Sequence, residues 1–142
     1  MVEQLNVFLQ NQPGKIAAVT AALAKSGVDI RALSIADTAD FGILRMLVND
    51  IAAAKAALAP MNCIINATDV TVVAVPDVPG GLARVLALVA EGGVNIEYMY
   101  SLIGRGEDKA YMVFRVSDEQ TLVKLLEKNG LGIVTSQELG IQ

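Results

Sequence analysis

Apolar and polar residues alternate along the first nine positions, with Leu5, Val7 and Leu9 on one face, the period-two pattern of a β-strand over residues 2–9. The period then lengthens. From Gly14 to Lys25, Ile16, Val19 and Leu23 fall at i, i+3 and i+7, so they share a helical face, and Ser26-Gly27 supplies the stop. Residues 28–36 read as a second strand, and the polar stretch DTAD turns the chain into a third over residues 41–48. Asp50 is placed to cap a short helix that carries Ile51, Ala54 and Leu58 inward; Pro60 ends it, and residues 63–67 form a last strand.

The same order then repeats. NQPGKIAAV, starting at Asn11, returns as DVPGGLARV, starting at Asp77, 66 positions later. A strand over residues 70–75 leads through this loop into a helix over residues 80–91 that uses Leu82, Val85 and Val89, and Gly92-Gly93 stops it. Val94, Asn95 and Ile96 answer Val28, Asp29 and Ile30, while the third strand, residues 110–116, is displaced by a longer GRGED turn. Ser117 with Gln120 reads as a capping box for a helix bearing Leu122, Leu125 and Leu126, and Asn129-Gly130 releases the chain into a final strand over residues 132–136.

Each copy is thus strand, helix, strand, strand, helix, strand. Right-handed crossovers around both helices give a four-stranded antiparallel sheet with two helices on one face. The expected class is therefore α+β: two ferredoxin-like βαββαβ units, residues 1–68 and 69–142, packed as a pair. VTVVAV and YMVFRV are apolar on both faces, which predicts that the open face of the second sheet is covered by another sheet or subunit.

Composition narrows the function. The chain is 54% hydrophobic and 18% charged, rich enough in apolar residues to predict burial between domains or subunits, hence a homo-oligomer, with a dimer expected. A net charge of −4, with Arg31, Arg45, Arg84, Arg105 and Arg115 scattered, argues against nucleic acid. The absence of histidine removes Ser-His-Asp and Cys-His catalysis and histidine metal sites, and the single cysteine, Cys63, cannot form an intrachain disulfide. Cys63 reads as a buried strand residue. The N-terminus lacks a basic region and a cleavage site, and no apolar run reaches about 18 residues, so a cytoplasmic protein without a membrane span is expected. No catalytic residue, cofactor or metal is indicated.

The repeated loop carries the candidate chemistry. It hands a strand to a helix, where unsatisfied N–H groups and the positive end of the helix dipole attract a carboxylate. Pro-Gly before a helix is equally ordinary turn chemistry, and a duplicated fold inherits its turns whether or not they bind anything.

NQPGKIAAVTAALAKSGVDI and DVPGGLARVLALVAEGGVNI, with RALSIADTADFGILR and IEYMYSLIG, resemble the ACT domain, and specifically a stand-alone class made of two ACT domains. ACT domains are regulatory modules attached to aspartate kinase, chorismate mutase, prephenate dehydrogenase and related enzymes. The resemblance implies a non-catalytic protein that binds a free amino acid at an interface and acts allosterically, with a metabolic enzyme as a possible partner. It also implies the site residues. One site joins Asn11, Gln12, Pro13, Gly14, Lys15 and Ile16 to Tyr98 and Tyr100 of the second copy; its pseudo-symmetric counterpart joins Asp77, Val78, Pro79, Gly80, Gly81 and Leu82 to Ser34 and Ala36. Helix N–H groups take the carboxylate, while carbonyls or Asn11 receive the ammonium. The tyrosines favour the first of these sites, although edge-strand packing explains them as well; Asp37, Thr38 and Asp40 could meet a polar ligand side chain or simply solvate a hairpin.

Two other readings share the fold. An acylphosphatase-like enzyme wants an arginine in the first loop, where this chain has Lys15 and Gly81. A ligand-free structural or protein-docking module is the remaining alternative.

Overall fold

The computed structural model describes residues 1–37, 40–103 and 108–142. They divide into two compact units, one of Glu3–Thr68 with Leu139–Gln142, the other of Met1–Val2 with Asp69–Glu138. Thr38, in the first hairpin, and Arg105, in the GRGED turn, lie outside the described residues.

In the first unit β1 (Val2–Gln10), α1 (Lys15–Lys25), β2 (Ile30–Asp37), β3 (Phe41–Val48) and α2 (Ile51–Leu58) are followed by a 3-10 turn (Ala59–Met61) and the start of β4 (Ile64–Pro76). The strand order is β4-β1-β3-β2. β1 and β3 pair antiparallel from Leu5 opposite Met46 to Gln10 opposite Phe41. Leu5, Val7 and Leu9 meet Val19 and Leu23 of α1 and Ile51, Ala54 and Leu58 of α2 in one core. On the other face of β1, Val2, Gln4 and Asn6 are buried, and the two amides are paired: Gln4 donates to Asn6 at 2.6 Å, and Asn6 donates to Asn66 and Thr68 of β4, each at 2.7 Å. Buried amides are costly unless paired, so this chain of bonds fixes the neighbour and the register of β4.

The second unit repeats the plan with the rest of β4, α3 (Gly81–Glu91), β5 (Ile96–Ser101), β6 (Lys109–Val116), α4 (Glu119–Lys128) and β7 (Gly132–Val134), in the order β7-β4-β6-β5. Val73, Val75, Val85, Val89, Phe114, Leu122 and Leu126 form its core. Val70, Val72 and Val113 alternate with these residues, point away from the helices, and are also buried, as the two-faced apolar strands predict.

Several local expectations need correction. The last strand of the first copy and the first strand of the second are one strand, β4, of 13 residues, because IINATDVTVVAVP contains no glycine and no proline before its end. Cys63 precedes that strand and is half-buried at the edge of the first core. The cap of α4 is Asp118, which accepts from the Thr121 amide at 3.0 Å, and no Ser117/Gln120 capping box forms. Ser117 instead accepts from the Asn95 amide, and Glu119 accepts from the Val116 amide. β7 ends at Val134, two residues early.

The chain's last residues return to the first unit. Leu139 and Ile141 are buried, Arg31 donates to the Leu139 carbonyl at 3.0 Å, and the Gln142 amide donates to the Asn49 carbonyl at 2.8 Å. Deleting residues 139–142 is expected to cost roughly 3 kcal/mol through the two lost apolar side chains. A urea unfolding midpoint unchanged by the deletion would refute this.

The Thr121 hydroxyl and amide hold the Asp118 carboxyl below its ordinary value of 3.8, the hydroxyl contributing most. A lowered folded-state pKa stabilises above the unfolded value and loses its effect as pH falls through the folded one. Asp118→Ala should therefore lower Tm at neutral pH, with the gap to the parent closing below pH 3.8; a gap independent of pH in thermal melts would disprove the linkage.

Candidate functional site

The two repeated loops share their glycine angles and their set of backbone hydrogen bonds. Gly14 and Gly80, the residues ahead of α1 and α3, have φ of 83° and 84°, left-handed values that a side chain disfavours. The Asn11 and Asp77 amides donate to the carbonyls of Asp40 and Asp108, both at 3.1 Å. Gln12 and Val78 donate back to Gln10 and Pro76, both at 2.9 Å, and Lys15 and Gly81 donate to Gln12 and Val78. Each loop is thereby closed on its own backbone.

What these bonds leave open is the mouth of the helix. Neither α1 nor α3 has a side-chain cap, and the amides of Ile16, Ala17, Leu82 and Ala83 have no protein acceptor among the described residues. The other two helices are closed by aspartates, Asp50 accepting from Ala53 and Asp118 from Thr121, each at 3.0 Å. The contrast follows from sequence. Aspartate in an extended conformation can reach an amide of the first turn, whereas a left-handed glycine has nothing to reach with.

Asn11, Gln12, Pro13, Gly14 and Lys15 are all exposed, and Ile16 is half-buried against the core. Asp77, Val78, Pro79 and Gly80 are exposed, while Gly81 is buried. A Cβ on Gly81 would lie 2.1 Å from the Pro76 carbonyl oxygen, so the second loop is drawn tight at the position where the first carries Lys15. Asn11 bonds through its backbone and does not cap α1. Asp40 contributes its carbonyl to the first loop, and Asp37 is exposed at the end of β2.

The strand residues of the implied sites are placed as the alternation requires. Ser34 and Ala36 are half-buried on β2, with Ile35 between them facing solvent. Tyr98 and Tyr100 stack on β5 with ring centroids 6.5 Å apart and planes 19° apart; Tyr100 is buried. Both β2 and β5 end the strand order of their units, so each has one hydrogen-bonding edge left over within its own unit.

Lys15 also lines a groove of about 420 Å³ that the sequence reading missed. Its walls are Phe8, Leu9 and Gln10 at the end of β1, Phe41 at the start of β3, and residues 61–64 leading into β4. The signal was present as a difference between copies, since the second has Ala74, Gly81, Lys109 and Gly132 where the first has Phe8, Lys15, Phe41 and Ile64. Among the described residues no group of three or more acidic residues or cysteines could hold a metal, and no helix is long and apolar enough to cross a membrane.

With the duplicated loops and the βαββαβ plan in view, comparison with known proteins is decisive. Residues 1–141 match the ACT domain pair. The chain belongs to that family. The crystal structure of protein BT0572 from Bacteroides thetaiotaomicron is similar to this ACT domain pair, with 38% identity, a TM-score of 0.89, and coverage of 98% of this chain and 95% of that one. The ligand-free regulatory subunit of aspartate kinase from Thermus thermophilus shares the fold at 20% identity and a TM-score of 0.63, covering 89% of this chain and 90% of that one. The corresponding subunit from Thermus flavus does so at 20% identity and 0.61, with the same coverage. No curated protein matches the chain.

Gly81→Ala should cost about 1–3 kcal/mol, the usual range for forcing atoms into occupied space. Lys15→Ala, at the equivalent but open position, should change stability by no more than about 0.5 kcal/mol. Chemical denaturation of the two variants checks the pair, and equal costs would contradict the difference in loop packing.

Proposed function

We propose that this ACT domain pair is a non-catalytic regulatory protein that binds a free amino acid at its repeated loops and transmits occupancy through altered packing. The observation that carries the reading is the pair of uncapped helix mouths, α1 and α3, in a chain that closes α2 and α4 with aspartate. Open first-turn amides, together with the helix dipole, suit a carboxylate. A bound zwitterion then supplies what a capping side chain supplies elsewhere.

In this reading Asn11, Gln12, Pro13, Gly14, Lys15 and Ile16 form one ligand-binding loop, completed by Tyr98 and Tyr100. Asp77, Val78, Pro79, Gly80, Gly81 and Leu82 form the other, completed by Ser34 and Ala36. The regulatory part takes its direction from the family and from the Thermus aspartate kinase subunits, whose likeness is one of fold. A cytoplasmic homodimer acting on a metabolic enzyme is the setting we assign to it.

The test is thermal unfolding of the full chain against the standard amino acids at millimolar concentration. A ligand at 100 times its Kd should add about 2.7 kcal/mol to the folded state, a Tm rise of several degrees. If no amino acid shifts Tm while the protein forms a stable hetero-complex indifferent to amino acids, the ligand-free docking role replaces this reading.

A further inference from the structure

The two copies agree in backbone and differ in the side chains around the repeated loop. Duplication explains the shared turn; it does not explain why Phe8, Phe41 and Ile64 stand beside it in the first copy where the second has Ala74, Lys109 and Gly132. Phe41 is 56% exposed and Ile64 71% exposed, and the second copy manages the same strand starts with Lys109 and Gly132. The fold therefore does not need them there, and holding apolar side chains in water has no stability benefit.

These residues border the groove beside Lys15. Its volume of about 420 Å³ lies within the range of about 300–1,000 Å³ of small-molecule sites. Lys15 is the cation of its lining, and no carboxylate lines it among the described residues, so the groove favours an anion. Gln10 and Asn62 bring side-chain amide oxygens able to accept from an ammonium group. Phe8, Phe41, Met61 and Ile64 supply apolar surface, with the methionine able to adapt its shape.

We infer that this groove is a selectivity pocket of the first copy, taking an amino acid with a large apolar side chain: carboxylate toward Lys15, ammonium toward Gln10 or Asn62, side chain against Phe8, Phe41 and Ile64. The second copy builds different surroundings: Gly81 removes the loop cation, Lys109 replaces the apolar Phe41, and Ala74 and Gly132 remove the other walls. The inference rests on the amino-acid reading above and goes beyond it: the first-turn amides of α1 do not line the groove, so here Lys15 takes the carboxylate in their place. It adds the ligand class and a single tight site per chain.

Isothermal titration of the full chain with L-phenylalanine, L-leucine and L-methionine, against L-serine, L-aspartate and L-lysine, tests it. The apolar ligands should bind at one per chain, at least about tenfold more tightly than the polar ones. Phe41→Ser and Lys15→Met should each weaken them about tenfold or more. Ile103→Ser, an exposed apolar residue outside the groove lining, should leave binding unchanged. If a polar amino acid binds most tightly, or if Phe41→Ser leaves affinity intact, the pocket is refuted while amino-acid binding stands. Phe41→Ser altering the sedimenting mass without altering affinity would assign the patch to contact between copies and also overturn the pocket. Absence of binding by any amino acid would remove the parent reading and this one together.

Discussion

A left-handed glycine ahead of α1 and α3 governs what the rest of the molecule can do. With φ near 83°, Gly14 and Gly80 let the chain leave a central strand and enter a helix within four residues, which a β-branched or aromatic residue would resist. The same choice removes the side chain that would have closed the helix. Packing and openness thus come from one backbone angle: the helix is aimed onto the sheet so that Val19 or Val85 reaches the core, and the amides behind it stay available. The aspartates at Asp50 and Asp118 show the opposite solution, used where the helix has only to be stable.

Much of this was legible because it is local. Period-two and helical spacing located the helices and six of the seven strands, and the recurrence of PG, the double stop and V-D/N-I revealed the duplication. What escaped was decided by tertiary context. IINATDVTVVAVP has no glycine or proline to stop it at Thr68 and Asp69, yet the repeat boundary falls there, and β4 runs straight through it. Ser117 and Asp118 are both good caps, and Asp118 takes the role while Ser117 is occupied with Asn95. The uncapped mouths of α1 and α3 could be anticipated from the absence of a Ser, Thr, Asp or Asn next to the helix start. The groove showed in the sequence only as a difference between copies, because its walls come from separated stretches that the fold brings together.

Duplication also allows the two halves to be read as a controlled comparison. Where both copies keep a feature, such as the loop hydrogen bonds or the glycine stops at φ 71°, the fold requires it. Where they differ, each unit has its own solution. Gln4 and Asn6 stand opposite Val70 and Val72 in this comparison, so a polar tie to β4 in one unit answers apolar burial in the other. Side chains have diverged over a backbone held nearly constant.

The assignment of the chain's extremities has a consequence for how such a protein can change. Met1 and Val2 belong with the second unit, and Leu139 to Gln142 with the first. Cutting the polypeptide midway through β4 would leave each half missing residues that its own unit recruits from the far end. The boundary of the repeat in sequence is thus not the boundary of either folded unit.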